Sequence, residues 1–502
     1  MEVDGRALGN GTVAEADVCV IGAGPAGLVV ARALAERGRD VLVLESGSRD
    51  PDPATQALND GDVLGDAYAG LRETRHRGLG GTAALWNTPI GDAVGAKYAP
   101  LSPIDFERRP LVEHSGWPVT FDELAPWYAR AQAICGLGPF EYEGGAWGCS
   151  LPASGPVMTT RIYQFGSRAA LVDPLVAALG RATNARLCTR ATLVGLEIDA
   201  SGRRATGAVV SAPGGPTWTV RAKRYVLAAG AIENARALLV AADAGLRVAR
   251  PWLGRGFMEH PRDSALTLHP RSRGVYRDAA FYDRHQATDG TMIVGRFAVR
   301  DETISEGALP NASATLLARV RPVVRRVRVA ANRVGALALV DGWAPPGGHG
   351  WSHHPAPERV FDGFTILLNL EQTPSPENRI ALARRRDVLG VPLPELHWRW
   401  HATDHARLTR LRDVAARELA ELGRIELVAD ATPDPNAHHH AGTTRMHLDV
   451  AHGVVDADCR VHGVDNVFVA GASAFPTAGF VNPVLTIVAL AARLADHLAA
   501  SA

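Results

Sequence analysis

A chain of 502 residues is too long for one ordinary hydrophobic core, so we predict two large domains. Its 53 basic residues balance 53 acidic residues, and only 6% of the chain is aromatic, so neither a basic field nor base stacking favours nucleic acid. Five widely spaced cysteines without a CxxC pair argue against a disulfide framework and against a structural zinc site, and we predict no metal.

The amino-terminal segment, residues 1–14, is acidic and rich in glycine, and we predict a flexible leader there rather than a signal peptide. The apolar run that follows, residues 18–35, is interrupted by glycine, proline and arginine. It therefore predicts a strand, a turn and a helix rather than a membrane span. We expect a cytoplasmic protein without a membrane span.

Residues 17–47 predict one βαβ unit, because a β-branched run is followed by a glycine-rich turn, an Ala/Leu helix pattern and a second apolar run. The turn fits GxGxxG, in which the first glycine allows the tight turn, the second lets the backbone approach a pyrophosphate and the third lets the helix pack on the strand. Glu45 ends the second strand, where an acidic residue would bind the ribose hydroxyls. The unit predicts an adenine dinucleotide, NAD or FAD, with a purely structural turn as the alternative. The predicted phosphate-binding residues are Gly22, Gly24, Pro25, Ala26 and Gly27.

The remaining elements change character along the chain. Residues 50–110 predict long loops, residues 111–185 helices, and residues 186–231 a β-meander that ends in a strand. Strand-like runs between residues 263 and 400 predict a mostly antiparallel sheet, and the last 65 residues predict tight turns and a final helix.

The segment 319–333 contains six arginines and no acidic residue. Its valines and alanines share one helical face, so the segment predicts a surface helix with solvated or paired arginines. The alternative is a docking patch for an anionic partner or a membrane surface.

Several separate blocks resemble the glucose–methanol–choline (GMC) oxidoreductase family, and they occur in the order of that family over nearly the whole chain. Besides the amino-terminal fingerprint, the blocks are RGLGGTAALWN at 77–87, GWPVTFDELAPWYARA at 116–131, VLAAGAIENARALL at 226–239, LGRGFMEHP at 253–261, HHHAGTTRM at 438–446 and VFVAGASAFPTAGFVNPVLTIVALAARLAD at 467–496. Several motifs in order are more specific than any one of them.

The resemblance implies an α/β protein with a doubly wound, Rossmann-like FAD-binding domain and an α+β substrate domain with a mostly antiparallel sheet. The expected FAD-binding domain is discontinuous and comprises residues 15–110, 186–262 and 430–502. The expected substrate domain comprises residues 111–185 and 263–429. Fold alone does not fix the chemistry, which depends on the residues that match the motifs.

The resemblance implies that His439, three residues before Gly442, is the catalytic base and that Asn482 is its partner. Because His438 and His440 flank His439, a shift of one position is the alternative. A neutral imidazole accepts the hydroxyl proton, and an amide donates a hydrogen bond to the developing alkoxide. The flavin N5 then accepts the hydride.

The remaining cofactor-binding residues carry over from the other motifs. The loop expected to cover the isoalloxazine comprises Gly80, Gly81, Thr82, Trp86 and Asn87. The residues expected near the adenosine and pyrophosphate are Val194, Gly230, Glu233, Gly471 and Ala472, with Pro483 beside the catalytic pair. Where some relatives attach FAD covalently through a histidine, this chain has Leu85, so we expect non-covalent FAD. The resemblance assigns no role to His260, in the MEHP block.

The resemblance implies FAD-dependent oxidation of an alcohol group to a carbonyl, on a small molecule such as a sugar, glycoside or secondary metabolite. Asn482 and the GGTAALWN loop favour the sugar-oxidising branches by analogy. The electron acceptor is molecular oxygen or another acceptor. One alternative is a lyase that binds FAD without redox turnover, and another is an FAD-binding protein without catalytic activity. The exact substrate, the choice between oxidase and dehydrogenase, and the oligomeric state stay open.

Overall fold

The computed structural model describes residues 2–110, 112–149, 155–307, 309–334, 336, 350–429 and 431–500. The strands within these ranges are β1 (Glu2–Asp4), β2 (Val13–Ile21), β3 (Val41–Leu44), β4 (Asp62–Gly65), β5 (Thr88–Ile90), β6 (Ala93–Tyr98), β7 (Met158–Ser167), β8 (Ala185–Thr189), β9 (Thr192–Ile198), β10 (Ala205–Ser211), β11 (Trp218–Leu227), β12 (Arg262–Pro270), β13 (His285–Gln286), β14 (Met292–Val299), β15 (Ala312–Val320), β16 (Phe361–Leu370), β17 (Arg379–Arg386), β18 (Pro392–Trp398), β19 (Gly423–Leu427) and β20 (Val467–Val469). The α-helices are α1 (Pro25–Glu36), α2 (Pro53–Gln56), α3 (Pro103–Phe106), α4 (Phe121–Ile134), α5 (Arg168–Arg181), α6 (Ala231–Asp243), α7 (Gly274–Asp278), α8 (Asp301–Ser305), α9 (Pro322–Arg333), α10 (Pro357–Val360), α11 (Ala402–Glu418) and α12 (Val484–Ala500).

The first sheet has the strand order β1-β8-β3-β2-β11-β10-β9, and β20 also pairs with β11. Strands β1, β8, β3, β2, β11 and β20 are parallel, whereas β10 pairs antiparallel with both of its neighbours. In register, Ile21, Leu44, Leu227 and Val469 end four parallel strands at one edge. This is the edge at which α/β proteins bind their ligands.

The second sheet has nine antiparallel strands in the order β19-β12-β16-β15-β14-β7-β6-β5, with β13 paired to β14. One face carries a hydrophobic core that it shares with α11, including Phe364, Ile366 and Leu411. A smaller sheet of three strands, β17-β18-β4, completes the fold. The prediction of a doubly wound domain joined to a domain with an antiparallel sheet is confirmed.

The predicted flexible leader at residues 1–14 is wrong. Residues 2–4 form β1, which pairs in parallel with β8, and Val13 already begins β2. The Asp4 carboxylate accepts hydrogen bonds from the backbone N–H of Arg6 and from the Arg190 guanidinium, each at 3.0 Å. Backbone pairing and these polar contacts order the segment. The segment has few apolar residues, so its composition does not predict a strand.

The chain also crosses between layers more often than the predicted boundaries allow. Strands β5 and β6 lie in the antiparallel sheet, although residues 15–110 were assigned to the FAD-binding domain. Helices α4 and α5, within the predicted substrate segment 111–185, pack against α12 and α1. The motifs that carry the resemblance cover only parts of these segments, and the pattern of the residues between them predicts an element but not the layer that buries it.

Helix α9 contains most of the arginine-rich segment. It buries Val324 but exposes Val323 and Val329, and Arg319, which precedes it, lies 3.9 Å from Asp362. It therefore lies at the surface, and the docking role stays a prediction. Within the part of the chain that the structure describes, no helix combines the length and apolar character that a membrane span requires.

Candidate active site

A long cavity runs along the carboxyl edge of the parallel sheet and extends to the residues that precede α12. It brings together segments from both ends of the chain, as expected for a cofactor site at the switch point of an α/β sheet. The predicted site residues that line it are Gly22, Gly24, Pro25, Ala26, Glu45, Gly81, Thr82, Trp86, Val194, Gly230, His439, Gly471, Ala472, Asn482 and Pro483.

Three predicted site residues are not among the described residues that line this cavity. A Cβ atom on Gly27 would lie 1.9 Å from the carbonyl oxygen of Gly22, so Gly27 serves the close helix contact expected of it. Gly80 has φ +90° and donates its N–H to Ala23. Asn87 is exposed, because it follows Trp86 in extended backbone, where successive side chains alternate in direction.

The turn between β2 and α1 has the geometry of an anion-binding loop. Gly22 has φ +109°, and a Cβ atom there would lie 2.5 Å from the Ala228 carbonyl oxygen. A Cβ atom on Gly24, the residue that caps α1, would meet only Gly81 Cα at 3.9 Å. Backbone N–H groups at the start of a helix lack intrahelical partners and attract phosphate together with the helix dipole.

Two further glycines open the cavity on its other side. Gly230 has φ +85° and Gly471 has φ +117°, and a Cβ atom built on either would meet no described atom within 4 Å. The space that a side chain would fill at these two positions is therefore available to a ligand in the cavity. The residues present therefore fit an extended dinucleotide that approaches the backbone closely.

Glu45 lies buried at the end of β3 beside the phosphate loop. Its carboxylate accepts the backbone N–H of Ala23 and that of Gly47, each at 2.9 Å. Burial raises the pKa of Glu45, and these two hydrogen bonds oppose that rise. The carboxylate is thus fixed in orientation at the position expected for a ribose contact.

A cluster of charged residues lies near the predicted adenosine end of the cavity, and the sequence motifs alone do not predict it. Glu233 pairs with Arg75, Arg77 and Arg236 at nitrogen–oxygen distances of 2.5, 2.9 and 3.2 Å. Burial disfavours the Glu233 carboxylate, but the three guanidinium groups outweigh it and hold its pKa well below the usual range. The arginines that precede the glycine-rich loop in RHRGLGG were the visible signal for this cluster.

His439 and Asn482 meet at the other end of the cavity. The Asn482 Nδ2 atom lies 3.1 Å from His439 Nε2, and the His439 backbone N–H donates to the Glu259 carboxylate at 3.0 Å. Burial, followed by the charges of His260 and His440, lowers the pKa of His439 well below its usual value. The imidazole is therefore neutral at neutral pH, the state in which it accepts a proton.

His260 sets the tautomer of His439. The Nε2 atom of His260 lies 3.1 Å from the carbonyl oxygen of Ala478, which only accepts, so His260 carries its proton on Nε2. The unprotonated Nδ1 of His260 lies 3.0 Å from Nδ1 of His439 and accepts its proton. His439 Nε2 then keeps a lone pair and accepts a hydrogen bond from the Asn482 amide. Burial lowers the pKa of His260 to about 4, so this arrangement holds at neutral pH.

The two flanking histidines have different partners. His440 Nε2 lies 2.8 Å from the Tyr68 hydroxyl, which also donates a short hydrogen bond to Glu259. His438 has φ +60°, and its buried Nδ1 has no hydrogen-bond partner among the described residues. Of the three consecutive histidines, His439 is thus the one that contacts Asn482.

Glu259, His438 and His440 bring their side-chain ligand atoms within 4.8 Å of one another. The Glu259 carboxylate is already engaged by the Tyr68 hydroxyl and by backbone N–H groups, including that of His439. The absence of a metal therefore stays a prediction. Burial raises the pKa of Glu259 to about 7, against these hydrogen bonds.

Comparison with known proteins finds FAD dependent oxidoreductases among the relatives of the chain. The sequence profile of the FAD dependent oxidoreductases matches residues 17–361, and that of the GMC oxidoreductases matches residues 374–491. The chain is 26% identical to 6'''-hydroxyparomomycin C oxidase of Streptomyces lividus, covering 96% of this chain and 92% of the relative. It is 27% identical to paromamine 6'-oxidase of Streptomyces fradiae, covering 96% and 91%.

Among solved structures, pyridoxine 4-oxidase from Mesorbium loti superimposes with a TM-score of 0.55 at 18% identity. The match covers 96% of this chain and 99% of that one. At this level of identity the likeness supports the fold and not the substrate.

Proposed function

The chain belongs to the FAD dependent oxidoreductases, and its residues 374–491 match the GMC oxidoreductases; from this premise we propose that it oxidises an alcohol group to a carbonyl with His439 as the base. The observation that carries the proposal is the contact between His439 Nε2 and the Asn482 amide in the cavity that also contains the phosphate loop. A base, a hydrogen-bond donor and a dinucleotide cradle in one cavity are the parts that hydride abstraction from an alcohol requires.

The proposed chemistry begins at the substrate hydroxyl. An alcohol carbon releases hydride readily only as its O–H proton leaves, so the base and the hydride acceptor work together. His439 Nε2 takes the proton, and its Nδ1–H remains held by His260. The Asn482 amide donates to the developing alkoxide and does not compete for the proton.

The cofactor would be held mainly by backbone groups. Backbone N–H groups at the N-terminus of α1, which begins after Gly24, would donate to the phosphates, and Gly471 would lie at the second pyrophosphate contact. Gly230 would leave room near the adenosine, and the Glu45 carboxylate would accept hydrogen bonds from the ribose hydroxyls. FAD supplies the hydride acceptor when it is bound. Because Leu85 stands where some relatives carry a histidine for covalent attachment, we propose non-covalent binding.

For the substrate we propose a sugar, a glycoside or a similar hydroxylated metabolite. Two relatives that align over nearly the whole chain are named as oxidases of 6'''-hydroxyparomomycin C and of paromamine, and a third is named as a fructose dehydrogenase subunit. Electrons then pass to molecular oxygen or to another acceptor.

Anaerobic titration of the purified protein tests the proposal. Sugars, glycosides and simple alcohols are added one class at a time while the visible flavin spectrum is recorded. Bleaching by one class, with a carbonyl product, is the expected result, and admission of air then separates an oxidase from a dehydrogenase. A flavin spectrum that no alcohol bleaches would contradict alcohol oxidation and favour the lyase alternative.

A further inference from the structure

The chain has only two lysines among its 53 basic residues, and their surroundings differ. Lys223 lies at the surface with 80% of its side chain exposed, and it pairs with Asp17 at 2.7 Å. Lys97 lies on β6, and burial, with the charges of Arg296 and Arg262, lowers its pKa to about 8. Lys97 is half-buried and keeps part of its surface accessible.

Strand register puts Lys97 and Arg296 on the same face of the antiparallel sheet. Lys97 pairs with Phe165 on β7, and Arg296 pairs with Arg161 on the same strand. Residues two apart on a strand share a face, so the Tyr163 side chain lies between them. Lys97 Nζ is 5.3 Å from the centre of the Tyr163 ring, and the guanidinium carbon of Arg296 is 3.7 Å from it.

Arg296 is a buried cation with unused donors. It is 2% exposed, and the Phe480 ring lies 4.8 Å from its guanidinium carbon. Its Nε and Nη1 atoms have no hydrogen-bond partner among the described residues. Contact with two aromatic rings offsets part of the cost of burying the charge but leaves these N–H groups unsatisfied.

The neighbouring arginines on this face are neutralised, in contrast to Lys97 and Arg296. Arg161 pairs with Glu143 and with Asp301, each at 3.2 Å. Arg262, on β12, pairs with Asp434. Within the described ranges, no carboxylate is paired with Lys97 or with Arg296. A buried guanidinium near a half-buried ammonium is unfavourable without a counter-charge, and an anion from outside the chain would relieve this.

Phe480 connects these two cations to the proposed catalytic pair. Phe480, which contacts Arg296, is two residues before Asn482. The charge of Arg262 lowers the pKa of Lys97 and also that of His439, so Arg262 lies within electrostatic reach of each of them. Through Phe480 and Arg262, the two cations are thus connected to the neighbourhood of the proposed catalytic pair.

We propose that Lys97 and Arg296 form an anion-binding subsite, so that the alcohol oxidised beside His439 belongs to a molecule with a carboxylate or phosphate group. The inference rests on the proposed alcohol oxidation and deepens it by naming the substrate class. An ammonium supplies a compact charge and a guanidinium supplies a planar set of donors, and both recognise carboxylates and phosphates. A neutral sugar leaves both cations unpaired, and an amino sugar adds a third positive charge.

Chemical modification of the FAD-bound protein tests the subsite without turnover. Lys97 and Lys223 are reductively methylated, and peptide mass spectrometry gives the rate at each lysine, with Lys223 as the internal control. D-glucuronate and D-glucose 6-phosphate represent the two anionic groups, with D-glucose and D-glucosamine as neutral and cationic counterparts at matched ionic strength. At about 10 mM, roughly ten times the upper range of ordinary KM values, an anionic sugar is expected to slow methylation of Lys97 about tenfold.

Protection of Lys97 by glucuronate alone identifies a carboxylate subsite, and protection by the phosphate ester alone identifies a phosphate subsite. Equal protection by D-glucose, or no protection by either anion, overturns the inference. In a second measurement, Lys97→Met is expected to weaken binding of the protecting sugar about tenfold, and Lys97→Arg, which keeps the positive charge, is expected to weaken it less. Lys223→Met is expected to bind it as the unmodified chain does. Equal binding by Lys97→Met would also overturn it.

The two proposals fail in different ways. If an anionic sugar protects Lys97 but no alcohol bleaches the flavin, the subsite stands and alcohol oxidation fails. If alcohols bleach the flavin while neither anion protects Lys97, alcohol oxidation stands and the subsite fails.

Discussion

The Nδ1 atoms of His260 and His439 lie 3.0 Å apart, and this contact selects the nitrogen of His439 that faces Asn482 with a lone pair. The selection starts from the carbonyl of Ala478, a group that only accepts hydrogen bonds. The orientation of the proposed base thus depends on a residue that is not among the described residues lining the cavity. His260 is a positioning residue in this account.

Replacing His260 tests that role. His260→Leu removes the acceptor for the His439 Nδ1–H and should lower the anaerobic rate of flavin reduction by about 10–100-fold, the usual effect of a supporting partner. His260→Asn keeps an acceptor oxygen and should restore much of the rate. The pH profile of the reductive rate, measured for both variants at equal FAD content, distinguishes positioning from packing. Equal losses with unchanged profiles would show that His260 only fills space.

Replacing Asn482 tests the proposed hydrogen bond to the alkoxide. Asn482→Ala removes the donor and should lower the rate of flavin reduction by about 10²–10³-fold. Asn482→Asp places a carboxylate beside His439 and should raise the pKa of His439, so the acid limb of the pH profile moves to higher pH. A pH profile in Asn482→Asp that matches the unmodified enzyme would argue against the contact.

Buried histidines make the stability of the fold depend on pH. Burial lowers the pKa of His260 from 6.5 to about 4, so the unfolded chain binds a proton between these values that the folded chain does not. The neutral His260 therefore contributes about 3 kcal/mol to the free energy of unfolding above pH 6.5, and this contribution is lost as the pH falls to about 4.

Urea unfolding of the unmodified chain and of His260→Asn measures this contribution. Between about pH 7.5 and 5.5, the free energy of unfolding should fall by about 1 kcal/mol more in the unmodified chain than in the variant. Equal slopes for the two proteins would mean that the His260 imidazole titrates normally in the folded state.

Gly24 gives a direct test of the phosphate loop. Gly24→Val places a branched side chain in the space that the cavity leaves open beside Gly81 and should abolish FAD binding, measured as visible absorbance per chain. Gly180→Val is the matched control, because Gly180 is exposed near the end of α5 and a Cβ atom there meets nothing within 4 Å. Retained yellow colour in Gly24→Val would contradict the phosphate assignment.

Local patterns predicted the parts of the site that depend on local geometry. The glycines of residues 22–27 and the acid at Glu45 lie within one βαβ unit, whose spacing alone determines the turn. His439 and Asn482 are 43 residues apart, and the family resemblance, rather than periodicity, paired them.

The supporting contacts were not predictable in the same way. Tyr68, Glu259 and His260 reach the histidines across long stretches of chain, so no local pattern encodes their contacts. The sequence does not indicate a role for Lys97, because a single lysine in a loop-like segment is usually exposed. Only the pairing of β6 with β7 puts it on the same sheet face as Tyr163. The strand at residues 2–4 was missed because its partner, β8, lies far along the chain.

The most direct test of the central claim compares His439→Ala with the unmodified enzyme in anaerobic flavin reduction by the alcohol that bleaches it. His452→Ala, at an exposed position, is the control. We predict that His439→Ala retains FAD and reduces it about 10²–10⁴-fold more slowly, whereas His452→Ala behaves as the unmodified enzyme. Reduction at the unmodified rate by His439→Ala, with FAD fully bound, would show that another group is the base.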